Sequence, residues 1–215
     1  MKILSIKDTG APLVVFFAGW GMDENPFADY DADDCDFAVC YDYTTLDFDD
    51  GFISGKKIKR VVAWSFGVWA AVAGCGLCHA LASAPERIAV NGTTTPVNDI
   101  TGIPVKIFEG TLADFSAETL AKFERRMCGD KQSLEFYRAR HPKRAIESLH
   151  AELTQMRNDT DASFFTHAIV GSQDAIFPPQ NQLAAWAKIG NTQVTTVTAP
   201  HYSDAVLRKA VNGRF

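Results

Sequence analysis

Apolar residues run along the chain in short continuous blocks separated by polar turns, with longer Ala- and Leu-rich blocks between them. Pro12 to Phe17 (PLVVFF) shows no polar alternation at all. Such a segment suits a strand buried on both faces, as in a parallel sheet covered by helices. Phe37 to Tyr43, Arg60 to Trp64 (RVVAW), Arg87 to Val90, Val105 to Phe108, residues 163–170 and residues 193–198 are read as further strands, and Met1 to Ile6 as a short first one. Phe66 to His79, rich in Ala, Val and Leu, is read as a buried helix. Strands alternating with helices predict an α/β class with a mostly parallel central sheet and helices on both faces. Between Ala113 and Thr160 the pattern turns helical and charged, without strand signals. The expectation is one domain over residues 1–215, with a helical cap inserted at about 113–160 that shapes access to a site beneath it.

A chain of 215 residues, 47% hydrophobic and 22% charged, is typical of a globular domain with a sizeable core. No apolar run approaches the ~18 residues of a membrane span, and no targeting signal is visible, so a cytoplasmic protein without a membrane role is expected. The five cysteines are then read as reduced thiols. Cys75 and Cys78 form a C-x-x-C pair, read as two small apolar side chains on one face of a buried helix rather than a redox or metal pair. No second Cys/His pair stands at zinc-ligand spacing, and no metal site is expected. The net charge is −5, with eleven acidic residues and no Lys or Arg from Asp23 to Asp50, which disfavours nucleic acid as a partner. That stretch is read as a solvated loop surface. The counter-pattern Arg138, Arg140, Lys143 and Arg144 is either a solvated helix end or a docking patch for an acidic partner.

The chemistry gathers at four strand ends. Arg60-Val-Val-Ala-Trp-Ser65-Phe66-Gly67 runs a β-branched strand into a serine and then into an Ala-rich helix. This is the layout of the nucleophile elbow, with Ala63 in place of the usual first glycine. Phe17-Ala-Gly-Trp20-Gly-Met22 follows another apolar strand, where this fold places a glycine-containing loop that completes an oxyanion hole. The backbone N–H groups of Trp20 and Phe66 are the expected donors. Gly171-Ser-Gln-Asp174-Ala-Ile-Phe-Pro puts an aspartate in the loop after a late strand, and Ala199-Pro-His201-Tyr puts a histidine after the last one. The order Ser65, Asp174, His201 is the one an α/β-hydrolase needs, with serine as nucleophile, histidine as base and aspartate orienting the base. Neither metal nor organic cofactor is required. Trp64, with Trp20 and Phe66, is a candidate to line an acyl channel.

These segments resemble a known family. Phe17-Ala-Gly-Trp-Gly-Met22, Ala63-Trp-Ser-Phe-Gly67 and Pro200-His201 look like the BioG-type pimeloyl-[acyl-carrier-protein] methyl ester esterases, and the length and cap position agree. The resemblance implies a carboxylesterase of biotin synthesis that removes the methyl group from a pimeloyl ester held on acyl carrier protein. The same triad serves thioesterases, C–C hydrolases and broad small-ester esterases, and the fold also occurs without catalysis as a binding module. An acidic carrier would give the basic run at Arg138 to Arg144 a docking role.

Overall fold

The computed structural model describes residues 1–75, 78–156, 160 and 163–215. The apolar blocks form one seven-stranded sheet: β1 (Lys2–Lys7), β2 (Leu13–Phe17), β3 (Asp36–Tyr41), β4 (Ile58–Trp64), β5 (Glu86–Val90), β6 (His167–Gly171) and β7 (Gln193–Val197). The spatial order is β1-β3-β2-β4-β5-β6-β7. Only β1 runs antiparallel, against β3, and the other pairs are parallel. Every residue of β2 is buried, which explains its unbroken apolar run, whereas β1 and β7 at the two edges keep exposed positions. Helix α2 (Phe66–Cys75) packs on β2 and β4, α8 (Pro179–Ile189) on β6, and α9 (Asp204–Val211) on β4 and β5. This is the α/β-hydrolase arrangement, with the strand carboxyl ends gathered along one edge.

Val105 to Phe108 is not a strand. It opens α4 (Val105–Ala113), behind Pro104, and the Val105 N–H donates to Asp99 Oδ1 at 2.9 Å. Phe108 turns inward, while Val105 and Ile107 stand 40% and 47% exposed, which a doubly covered strand would not permit. Four residues, three of them β-branched or aromatic, are too few to separate the two periods. The chain therefore passes from β5 to β6 through α4, α5 (Ala117–Cys128), α6 (Lys131–Arg138) and α7 (Ile146–Gln155).

The helix read over Phe66 to His79 also divides. Helix α2 is described as far as Cys75, residues 76 and 77 of the expected helix lie outside the described residues, and a short helix α3 (His79–Ala82) follows with Cys78, in extended backbone, at its N-cap. Cys75 and Cys78 thus do not share one helix face. Both are free thiols, and burial pushes that of Cys75 far above its usual range. The acidic stretch is only partly a solvated surface. Asp36 is buried and accepts the N–H groups of Thr9 and Gly10, and buried Asp42 is paired with Lys2 and Arg144.

Candidate active site

The turn between β4 and α2 holds Ser65 at φ +58°, a left-handed conformation that costs a non-glycine residue roughly 1 kcal/mol or more. The conformation is enforced from outside. Ser65 N–H donates to Val90 O at the end of β5, and the Ser65 carbonyl lies so close to Gly92 that a Cβ there would sit 2.3 Å from it. A Cβ on Gly67 would stand 2.3 Å from Phe17 O and 2.5 Å from Ala18 O. The second small residue of the elbow is thus required because α2 starts against the loop that follows β2. Ala63, by contrast, sits inside β4 between Phe17 and Ala89, and its methyl group is buried without conflict.

Ser65, Asp174 and His201 meet at the carboxyl edge of the sheet. The Ser65 Oγ lies 2.8 Å from His201 Nε2, and His201 Nδ1 lies 2.8 Å from Asp174 Oδ2. A carboxylate only accepts, so Nδ1 carries the proton and Nε2 presents its lone pair to the serine hydroxyl. The remaining carboxylate valences are filled. Asp174 Oδ1 accepts from Ile176 N–H at 2.8 Å and Phe177 N–H at 2.9 Å, and Oδ2 also accepts from Gln182 Nε2 at 2.9 Å. All three side chains are buried, and the imidazole is flanked by the rings of Phe177 and Trp64.

The loop after β2 brings Trp20 beside Ser65. A Cβ on Gly19 would touch Ser65 Cβ at 3.3 Å, which measures how closely the two segments approach. Among the described residues, no group accepts the Trp20 backbone N–H, and Phe66 N–H is an unpaired donor of the first turn of α2. Two such donors beside a serine can stabilise a tetrahedral oxyanion. Trp20 and Phe66 also line an apolar pocket with Ile103, Phe108, Leu153 and Ile176. Trp64 is absent from that lining. It points under the base, donating its Nε1–H to His201 O at 3.0 Å, so it positions the histidine loop instead of walling an acyl channel.

The family model described as Pimeloyl-ACP methyl esterase BioG matches residues 1–208. The chain belongs to the BioG family. With that family it falls among the carboxylester hydrolases. A crystal structure of BioG from Haemophilus influenzae superposes with a TM-score of 0.84 at 36% identity, covering 96% of both chains. A malonyl-[acyl-carrier protein] O-methyltransferase of Bacteroides fragilis is 41% identical over 201 residues. That match takes in 91% of this chain but spans only 40% of the methyltransferase. The esterase EaEST from Exiguobacterium antarcticum shares the fold, with a TM-score of 0.74 at 11% identity over 98% of this chain and 92% of that one.

The four basic residues from the end of α6 to the start of α7 have separate fates in this BioG-family chain. The side chain of Arg144 is buried, with Nη1 2.5 Å from Glu152 and Nη2 2.8 Å from Asp42, so it is an internal ion pair and not part of a docking surface. Burial pushes Glu152 up to about 7, against the opposing pull of Arg144 and the Tyr43 N–H. Arg140 is engaged by Asp29 at 2.8 Å. Arg138 and Lys143 are exposed, but neither lines the pocket beside Ser65.

Two residues of the site carried no motif. Asn91, at φ +46°, donates to Pro200 O and His201 O and accepts from Gly171 N–H, so one amide ties the acid strand to the base loop. Gln182 donates to both Asp174 Oδ2 and Phe177 O. The only hint of Asn91 in the sequence is an Asn-Gly step directly after an apolar strand, and Gln182 offers none.

Proposed function

We propose that this chain is a serine carboxylesterase that cleaves the methyl ester of pimeloyl-[acyl-carrier protein], releasing methanol, in the cytoplasmic synthesis of biotin. The observation that carries the reading is the buried Ser65–His201–Asp174 relay beside an apolar pocket, in a chain of the BioG family. The methyltransferase name of the longer B. fragilis relative favours the same bond, since an O-methyl ester is what such a transferase makes.

In the reaction, His201 Nε2 takes the Ser65 proton as Oγ attacks the ester carbonyl. The oxyanion accepts hydrogen bonds from Trp20 and Phe66 N–H. Collapse expels methoxide, which His201 protonates to methanol. The same base then activates water against the acyl-enzyme, and a free carboxylate leaves. The thioester that joins the acyl chain to its carrier stays outside the reacting centre. Asp174 holds the imidazole tautomer and stabilises the imidazolium without taking its proton. The helices α4 to α7 serve as the cap, since α4, α5 and α7 supply pocket walls.

The test is purified wild type against Ser65→Ala on pimeloyl methyl ester attached to acyl carrier protein, with methyl loss followed by mass. Wild type should turn over, and Ser65→Ala should fall by several orders of magnitude. Cleavage of small esters but not of the carrier-bound one would keep the triad and remove the substrate. Inertness towards both, with no labelling by a fluorophosphonate, would leave a binding protein.

A further inference from the structure

The pocket beside Ser65 continues outward. Ile107, Thr111, Phe123 and Arg126 belong both to its lining and to that of an open groove of about 790 Å³ between α4 and α5. The polarity changes along this path. The inner walls are aromatic and aliphatic, which suits a polymethylene chain, and the outer groove adds Lys106 and Lys122 to Arg126, against one acid, Asp114. A net positive lining is notable on a chain whose overall charge is −5. Lys106 and Arg126 form no ion pair among the described residues. Lys122 meets only Glu118, at 2.8 Å and with both side chains mostly in solvent, a pairing too weak to withdraw the charge. Apolar groups flank the same helix start, since Ile100, Val105 and Ile107 are three of the large hydrophobic residues left exposed. Exposed apolar groups beside unpaired cations make a protein-docking face rather than a plain solvated surface.

We infer that an acidic acyl-carrier protein seats on the α4–α5 groove, with its acyl arm passing Arg126 into the pocket beside Ser65. This rests on the esterase reading above and adds where the carrier binds. The carboxylates of the carrier and the phosphodiester of its arm supply the anions that Lys106, Lys122 and Arg126 meet. Local positive charge on an acidic enzyme also orients the approach, because the rest of the surface repels the carrier.

Binding and turnover are measured separately, so that the two readings fail separately. Binding uses Ser65→Ala and acyl carrier protein loaded with pimeloyl methyl ester, followed by fluorescence anisotropy of the labelled carrier. Adding Lys106→Glu and Lys122→Glu should weaken Kd about tenfold or more at low salt, and the gap should close as salt rises. Arg126→Glu should act in the same direction. Arg138→Glu with Lys143→Glu, which reverses as many exposed charges elsewhere on the inserted helices, should leave Kd within about twofold. The docking site is overturned if the Lys106/Lys122 pair leaves Kd unchanged, if the Arg138/Lys143 pair weakens it equally, or if the carrier does not bind. Failure of wild type to demethylate a carrier that does bind would overturn the esterase reading alone.

Discussion

Asp174→Asn is the substitution whose consequence follows most directly from the hydrogen bonds around the site. Asn and Asp are nearly isosteric, so the change tests proton placement and not packing. Asp174 Oδ1 is committed to two backbone donors, Ile176 N–H and Phe177 N–H, which can face only an oxygen. The asparagine oxygen must therefore take the Oδ1 place, and its NH₂ falls where Oδ2 now accepts from His201 and Gln182. That NH₂ donates to His201 Nδ1, which forces the ring proton onto Nε2 and leaves no lone pair facing Ser65. Restoring the productive tautomer sets two N–H donors against each other in a buried site. The loss of kcat should then be about 10⁴-fold, or about 5.4 kcal/mol, as expected when a triad acid is replaced by its amide. The assay is steady-state hydrolysis of a small neutral ester with fluorophosphonate labelling, beside a thermal melt to show that the variant is folded. A folded Asp174→Asn enzyme within tenfold of wild type would refute the argument, and Asp174 would then not orient the base.

Other substitutions probe the surroundings of the site. Gly67→Val should stop turnover and lower Tm, because its Cβ would press on Phe17 O and Ala18 O, both backbone atoms; a fully active, stable variant would sink the account of the elbow. Gln182→Leu should lower kcat about tenfold with KM unchanged, since it removes one charged hydrogen bond from Asp174, and a shift in KM alone would contradict a positioning role. Arg144→Met should cost about 3–5 kcal/mol in urea unfolding by stranding Glu152, with partial rescue by Glu152→Gln; wild-type stability would show the pair to be dispensable. The native carboxyl of Glu152 sits at about 7, above its ordinary 4.5, so this group's contribution is present below pH 4.5 and lost as pH rises through 7; a slope of up to about 3 kcal/mol between pH 5 and 8 should vanish in Glu152→Gln.

What the sequence makes legible is what is local. Ser65, Asp174 and His201 each follow a strand within four residues, so a short window holds both the element and the group, and the structure brings the three together. Arg144 was misread because what decides its state lies elsewhere in the chain. Asp42 is 102 residues away, and Glu152 reaches back from the second turn of α7. Charge runs in a sequence look solvated until such partners are known. Val105 to Phe108 was misread for a different reason. A cap helix that exposes Val105 and Ile107 on a groove breaks the usual link between apolar character and burial. Trp64 was placed on the wrong side of the nucleophile, since aromatic character says nothing of whether a side chain faces the pocket or the loop behind the base.

The inserted helices do more in this fold than cover the pocket. The loop from Ala18 to Met22, which carries the Trp20 N–H, is fixed on the sheet side by the Tyr43 hydroxyl donating to Ala18 O at 2.7 Å. Its other side is held by α7, where Leu149 O accepts the Trp20 indole N–H at 2.9 Å. Arg144, just before α7, reaches Met22 O at 3.4 Å and is itself locked by Glu152 on the same helix. The Trp20 ring then meets Phe115 and Phe123 edge-on, and Phe123 reaches the groove between α4 and α5. A displacement of α5 or α7 therefore cannot leave Trp20 where it was. The proposed oxyanion donor and a wall of the pocket are parts of one residue, and α5, one of the helices that hold it, also borders the groove proposed for the carrier.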